Sequence, residues 1–166
     1  MAGILDGLND AKVFEQGQFL SPDAHYELQV EKILAKKTRK SGTCFIVEAT
    51  VLKSTSEKDP VGSKRTWLQK LDPVDVAFPA IKSFMYALLG YNFQGVDKEF
   101  CVKNIDPQLT KEDGTGLTDQ ALSDKQPFKG RKVGVDTVQV KTDGKGLNFT
   151  RHNFFPIDAK LGQTSA

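Results

Sequence analysis

The sequence contains little of what disulfide scaffolds and membrane spans require. Its 166 residues include only two cysteines and two histidines, which excludes a four-cysteine zinc site and disfavours a disulfide scaffold. The longest apolar run, Phe84 to Leu89, is too short to cross a bilayer. The first residues lack the basic and apolar regions of a secretory signal, so we expect an intracellular protein with no membrane segment.

Catalytic signatures are also missing. No glycine-rich dinucleotide or phosphate-binding motif occurs, and neither His25 nor His152 has a catalytic partner at a useful spacing. Asp72 and Asp75 precede an apolar periodic segment, and they are most simply explained as turn-forming and helix-capping residues. The sequence therefore predicts no enzyme, no catalytic residue, no cofactor and no metal site.

Charge is distributed unevenly along the chain, although the formal net charge is only +2. Residues 29–70 contain ten basic and four acidic residues, and residues 125–152 contain seven basic and two acidic ones. Residues 1–28 and 71–124 are acidic. The near-neutral average charge conceals these two basic segments, and such segments can bind a polyanionic partner.

Five strands are predicted, and the first, third and fourth show a period-two alternation of apolar and polar residues. The first begins at Tyr26 and is interrupted, as by a bulge, at Ile33 and Leu34. The second is apolar on both faces, which is typical of a strand with neighbours on both sides. Turn signals separate the strands, and the first three are expected to form an antiparallel meander. The later predicted strands cover 43–53, 64–71, 131–141 and 147–157.

One helix is predicted between the third and fourth strands. Apolar residues from Val76 to Leu89 recur at three- and four-residue spacings, which places the helix at about 79–89, with Pro79 in its first turn and Gly90 just after its end. The segment 104–129 that follows is polar and contains glycine, so it is expected to be a long loop.

This order of elements predicts an all-β fold with a minor helix. Five strands with a helix between the third and fourth match the layout of an OB-fold, a partly open five-stranded barrel. A β-sandwich would require about seven strands. The predicted organisation is an N-terminal arm at 1–23, an OB-fold-like domain at 24–157 that includes the long loop, and a short tail at 158–166.

Basic residues interleave with aromatic residues in the third and fifth strands. Arg65 and Trp67 share one face of their strand, and Trp67 is equally consistent with a core position or a base-stacking position. Phe154 and Phe155 are adjacent, so only one of them can point into the core. Bases stack on aromatic rings while lysine and arginine contact phosphates. The candidate single-stranded DNA-binding residues are Lys64, Arg65, Trp67, Lys70, Arg131, Lys132, Lys141, Lys145, Phe149, Arg151 and Phe155.

Several segments together resemble phage-encoded single-stranded DNA-binding proteins. The likeness lies in a pattern of strands and turns over roughly residues 24–157. The segments that carry it are His25-Tyr26-Glu27-Leu28-Gln29-Val30, Lys40-Ser41-Gly42, Phe45-Ile46-Val47-Glu48-Ala49, 62–67, 81–90, Gly130-Arg131-Lys132-Val133-Gly134-Val135 and 148–156.

The resemblance implies an OB-fold that coats single-stranded DNA during phage DNA replication or recombination, largely independently of sequence, in the cytoplasm of the host cell. It also implies phage or host replication and recombination proteins as partners. The segment from Asp158 to Ala166 is neutral, unlike the acidic tail of bacterial and many phage single-strand binders. An open barrel also leaves strand edges through which a homodimer can pair.

Two other functions stay open at this point. The first is a virion structural or assembly protein whose β-barrel contacts other proteins through its arm and long loop. The second is a small nucleotide- or nucleic-acid-processing enzyme, which would require Asp72, Asp75 or the Glu112-Asp113 loop to converge on a metal.

Overall fold

The chain forms a five-stranded antiparallel sheet with several helices. The structure is a computed structural model that describes residues 19–38, 42–71, 74–93, 95, 97–141 and 148–161, without the side chains of 38, 74–76, 141, 148 and 149. The strands are β1 (Ala24–Thr38), β2 (Gly42–Ser54), β3 (Lys64–Lys70), β4 (Lys132–Lys141) and β5 (Asn148–Pro156).

The strand order across the sheet is β3-β2-β1-β4-β5. The first three strands form the predicted meander, and β2 has a neighbour on each side, as its two apolar faces predicted. On the other side of β1, β4 pairs with residues 24–29 and β5 pairs with β4. The predicted strand positions are confirmed, because alternation along a strand reports directly on one buried and one exposed face.

Strand β1 contains two irregularities in its pairing with β2. The register shifts between Glu27 and Leu28 and again between Val30 and Lys32. The second shift lies close to the predicted interruption at Ile33 and Leu34. Because one extra residue reverses which side chains face the core, Lys32 points away from the core although Val30 and Ile33 are both buried in it.

The sheet curls around an apolar core that α1 (Val74–Leu88) closes on one side, mainly against β5. Phe84 of α1 contacts both Trp67 of β3 and Phe154 of β5, with ring centroids 5.4 and 5.2 Å apart. The Trp67 and Phe154 rings approach to 4.7 Å. Side chains therefore bring the two sheet edges together, but no backbone pairing joins β3 to β5 among the described residues, and the sheet is not closed.

Helix α1 starts earlier than the sequence predicted. It begins at Val74, so Pro79 lies inside the helix rather than in its first turn, where its ring removes one backbone hydrogen bond. The predicted end is confirmed: Gly90 has a φ of +94°, and Tyr91 N–H donates to the Tyr86 carbonyl over 2.9 Å. This pairing is the Schellman motif that satisfies the last carbonyls of a helix.

The segment predicted as a long loop is instead partly helical. Two elements, α2 (Lys98–Phe100) and a π-helical turn (Cys101–Ile105), lead into the segment 104–129, and α3 (Asp106–Leu109) and α4 (Leu117–Ala121) lie within it. These turns are short and largely polar, so their periodicity is too brief to detect in the sequence. Ile105, Leu109 and Ala121 nevertheless reach the core, which explains why a polar segment folds against the sheet.

Gln126 attaches this segment to the middle of β1. Its side chain accepts from Ile33 N–H over 2.8 Å and donates to the Ile33 carbonyl over 2.8 Å, so one amide replaces a strand partner beyond the point where β4 stops pairing. Gln126 has a φ of +44°, a conformation that costs about 1 kcal/mol or more for a residue with a side chain. The two hydrogen bonds offset that cost.

Both ends of the described chain contact the body of the domain. Leu20 is buried in the core, and the predicted arm is described only from Phe19. The predicted tail is described only to Leu161, whose N–H donates to the Leu89 carbonyl over 2.8 Å. A Cβ on Gly90 would lie 2.7 Å from the Ala159 carbonyl oxygen, so glycine is required where the tail crosses the end of α1.

Candidate nucleic-acid interface

Basic residues from both basic segments, 29–70 and 125–152, lie on one face of the sheet. We call this the outer face, because its residues alternate with those of the core: on β4, Lys132 is exposed whereas Val133 and Val135 are buried. The same alternation on β5 buries Phe154 and exposes Arg151. The described basic residues of the outer face are Lys32, Lys36, Lys53, Lys64, Lys70, Lys132 and Arg151.

The strand register arranges lysines in lines across the sheet. Gln29 pairs with Lys132 on one side and with Thr50 on the other, and Thr50 pairs with Lys64. The Cα atoms of Lys132 and Lys64 are therefore three strand spacings apart, about 14 Å. At the far end of the meander, Lys36 and Lys70 flank Cys44 in a second line.

Carboxylates accompany some of these lysines. Lys53 Nζ lies 3.5 Å from Glu27, and Lys64 Nζ lies 3.8 Å from Glu31 and donates to Thr50 Oγ1 over 2.6 Å. Exposed pairs of this kind contribute about 1 kcal/mol or less. Because the contacts are weak, a phosphate can replace the carboxylate at little cost.

Three cations of the outer face, Lys70, Lys132 and Arg151, show no such carboxylate partner among the residues that the structure describes. The side chains of Lys70, Lys132 and Arg151 are exposed and make no ion pair within the described ranges of the chain. Lys132 is fixed by its backbone instead, since its N–H donates to Asp158 over 2.9 Å. Lys70 lies on β3 at one edge of the sheet, and Lys132 and Arg151 lie on β4 and β5 at the other. All three charges are available to an anion.

An aromatic pair lies between Lys132 and Arg151. Phe155 is stacked on His25 with ring centroids 5.3 Å apart and planes inclined by 22°. Gly134 pairs directly with Phe155, and a Cβ on Gly134 would lie 1.9 Å from the Phe155 ring. His25 Nδ1 lies 2.6 Å from Asp136. The outer face thus combines cations with a fixed, partly exposed stack of two rings.

Trp67 lies in the core. Its side chain is only 6% exposed and contacts Phe45, Phe84 and Phe154. The sequence left core and platform equally open for this residue, and the structure decides for the core because Trp67 pairs with Val47 on the face of the sheet that lines the core. The burial of Trp67 does not fit its predicted role in base stacking, because the ring is covered by other core side chains.

Arg65 takes part in an internal network rather than facing outward. Its Nε donates to Asp59 over 2.6 Å, and its side chain is 18% exposed. Asp59 also accepts from Tyr26 Oη over 2.8 Å and from Ser21 N–H over 3.1 Å. Burial alone would raise the pKa of Asp59, but the hydrogen bonds, above all that from Arg65, lower it to about 2. Arg65 is therefore occupied in holding the 54–63 loop and the arm.

Arg131 is also committed internally. Its Nε donates to the Leu88 carbonyl over 2.9 Å, and its NH2 donates to the Ala159 carbonyl over 2.8 Å. The guanidinium thus joins the end of α1 to the C-terminal segment. Releasing it to a phosphate would leave both carbonyls without this donor, so the geometry favours a structural role.

The side-chain positions of three candidates are not described. Lys145 lies outside the described residues, and the side chains of Lys141 and Phe149 are not described. The backbone register places Phe149 opposite Val140 and in step with Arg151 and Phe155, as alternation predicted. Of the eleven candidates, Lys64, Lys70, Lys132, Arg151 and Phe155 are brought together on the outer face.

Sequence reasoning did not select four residues of this surface, His25, Lys32, Lys36 and Lys53. Lys32 lies beyond the register shift of β1, so simple alternation from Tyr26 assigns it to the inner face. His25 was judged only as a catalytic candidate, although its place beside Phe155 follows once β1, β4 and β5 are paired. The strand order is sufficient to place His25, whereas Lys32 is placed only by the register shift.

The remaining reactive groups are buried. Burial lowers the pKa of His152, which packs beside Trp67 and Phe154, to about 4. Burial, assisted by the negative charge of Asp97, raises the pKa of the Cys101 thiol to about 11, which makes it a poor nucleophile. No cluster of three metal-ligating side chains occurs in the part of the chain that the structure describes. Asp72 and the Asp75 side chain lie outside that part.

None of the helices in the described ranges has the length and apolar character needed to cross a membrane. Comparison of the chain with models of known protein families, and with curated protein sequences, gave no match.

Proposed function

We propose that this chain is a single-stranded DNA-binding protein that acts without catalysis and largely independently of sequence. The observation that carries the proposal is the outer face, where pairing of β3, β2, β1 and β4 brings lysines from four strands onto one surface. Cations spaced across a sheet, with aromatic rings among them, suit a flexible polyanion with accessible bases. The network around Asp59 keeps Arg65 out of this surface, so lysines supply most of its charge.

The proposal includes an OB-fold. A partly open five-stranded barrel requires the two edge strands to approach each other, and the contact between Trp67 and Phe154 supports this arrangement. The helix between β3 and β4 also fits, since α1 packs into the space between those edges. An OB-fold would place the proposed interface on the outside of the barrel.

The biological setting is proposed from the family resemblance. The protein would coat single-stranded DNA during phage replication or recombination in the host cytoplasm, with phage or host replication and recombination proteins as partners. A homodimer that pairs through the open edges of β3 or β5 is compatible with this role.

Binding to fluorescein-labelled oligothymidylate of about 30 nucleotides, a few OB-fold site lengths, tests the proposal. If Lys32, Lys64, Lys70, Lys132 and Arg151 each neutralise one phosphate, the slope of log affinity against log salt is about −3.5. Affinity should then fall about 100-fold between about 50 and 200 mM salt. Duplex of the same length should bind more weakly, and oligouridylate reports the preference between DNA and RNA.

The variant Lys70→Ala/Lys132→Ala should make the slope about 1.4 less steep, since two contacts are lost. The matched control Lys103→Ala/Lys111→Ala removes two exposed lysines of the helical segment, and it should leave the slope unchanged. No binding at low salt would refute the proposal and favour the virion protein instead. Equal effects of both variants would show that binding does not use the outer face.

A further inference from the structure

The stacked pair of His25 and Phe155 has the construction of a platform. Phe155 lies against the backbone of β4 because Gly134 has no Cβ; a methyl group there would lie 1.9 Å from the ring carbon Cε2 and 2.1 Å from Cζ. Any other residue at 134 would push the ring away from the strand. The glycine thus allows the ring to lie close over the sheet, next to His25.

His25 is held in position from two directions. Its Nδ1 is 2.6 Å from Asp136 Oδ1, and its backbone N–H donates to Thr55 Oγ1 over 2.9 Å. The imidazole packs against Phe155, yet 47% of the His25 side chain remains exposed. An aromatic ring that is oriented in advance and still exposed loses little conformational freedom when another ring stacks on it.

Cations stand on both sides of this platform along the strands. Lys132 is two residues from Gly134 on β4, about 7 Å away, and Arg151 is four residues from Phe155 on β5, about 13 Å away. In the register of β4 and β5, Phe155 lies opposite Gly134 and Arg151 lies opposite Val138. Lys132 precedes Gly134 on β4 and Val138 follows it, so the two cations lie in opposite directions from the aromatic pair. A strand crossing the platform would have basic side chains before and after the stacked base.

Resting on the proposed function, we propose that the His25 and Phe155 rings form a stacking subsite for one unpaired nucleobase. This subsite gives the outer face its preference for single strands, because a base within a duplex must first be unstacked before its ring can reach the platform. The lysines supply affinity for any phosphate chain, and the platform adds the interaction that depends on the base.

A strand without bases separates these two contributions. Binding of oligothymidylate is compared with binding of an oligonucleotide of equal length whose sugars are all abasic, at one salt concentration. One stacked base contributes about 1–3 kcal/mol, so the wild-type protein should bind oligothymidylate about 5- to 150-fold more tightly than the abasic strand.

Two variants test the residues. Phe155→Leu keeps an apolar side chain over Gly134, and His25→Gln keeps a hydrogen-bond donor for Asp136. Each should weaken oligothymidylate binding about fivefold or more and leave abasic binding unchanged. Phe155→Tyr keeps an aromatic ring at this position and should leave the ratio of oligothymidylate affinity to abasic-strand affinity as it is in the wild-type protein. The control Lys132→Ala should weaken both ligands to the same extent, and circular dichroism confirms that each variant is folded.

The outcomes are distinguishable. If the wild-type protein binds both ligands equally, or if Phe155→Leu and His25→Gln leave the ratio unchanged, the platform is refuted and Phe155 only covers the glycine. If the wild-type protein binds neither ligand at low salt, the proposed function fails together with the platform.

Discussion

Replacing Asp59 by asparagine tests the network that joins the N-terminal arm, the 54–63 loop and β3. Asp59 is buried and accepts hydrogen bonds from Arg65, Tyr26 and Ser21. Asparagine has nearly the same shape, but it removes the negative charge that Arg65 neutralises. It also replaces one of the two accepting oxygens by an NH2 group, which donates hydrogen bonds. We expect Asp59→Asn to lower the free energy of unfolding at pH 7 by about 2–4 kcal/mol.

The pKa of Asp59 gives an independent magnitude. The difference between the ordinary value of 3.8 and the folded value of about 2 corresponds to about 2.5 kcal/mol of stability. Because the folded pKa is the lower one, this contribution is fully present above about pH 5 and is lost as the pH falls through the folded pKa. About 1 kcal/mol should be lost by pH 3 and about 2 kcal/mol by pH 2.

Urea unfolding followed by the fluorescence of Trp67, the only tryptophan, measures this effect. The difference in stability between the wild-type protein and Asp59→Asn should narrow by about 1 kcal/mol between pH 6 and pH 3. Asp124→Asn makes the same chemical change at an exposed position and should change stability by less than about 0.5 kcal/mol. A difference for Asp59→Asn that does not vary with pH would refute the role assigned to its charge.

Two further substitutions test how the helical segments are attached. Gly90→Ala places a methyl group 2.7 Å from backbone atoms of the C-terminal segment at a φ of +94°, and thermal unfolding should show a loss of about 1–3 kcal/mol; an unchanged melting temperature would contradict the close approach. Gln126→Glu removes the donor to the Ile33 carbonyl and places a carboxylate beside it. It should reduce stability by about 1–3 kcal/mol and speed amide hydrogen exchange near Ile33, whereas exchange as slow as in the wild-type protein would contradict the contact.

The strands were predictable because their signal is local. Alternation located the first, third and fourth strands, and a run that is apolar on both faces located the second. The adjacent Phe154 and Phe155 required that one ring face outward, as the structure shows. The end of α1 was equally accessible, since Gly90 follows the last apolar residue of the helical pattern. The start of α1 was misplaced because a proline is expected in the first turn of a helix, whereas Pro79 lies inside this one.

The candidate site was predictable only in part, because alternation states which residues share a face but not which face is covered. Arg65 and Trp67 do share a face, and it proved to be the inner one. The sequence predicts that Arg131 binds DNA, whereas in the structure its guanidinium donates to the Leu88 and Ala159 carbonyls. The partners of Trp67 and Arg131 include residues from distant parts of the chain, which local alternation does not report.

The sequence by itself determined the order of the elements and the basic character of two segments, because both depend on neighbouring residues. Only the tertiary structure decided that these segments meet on one face, that a register shift turns Lys32 toward that face, and that His25 stacks on Phe155. The reason is that strand pairing sets these relations over more than a hundred residues of separation, as between His25 and Asp136. The net charge carries no trace of that pairing.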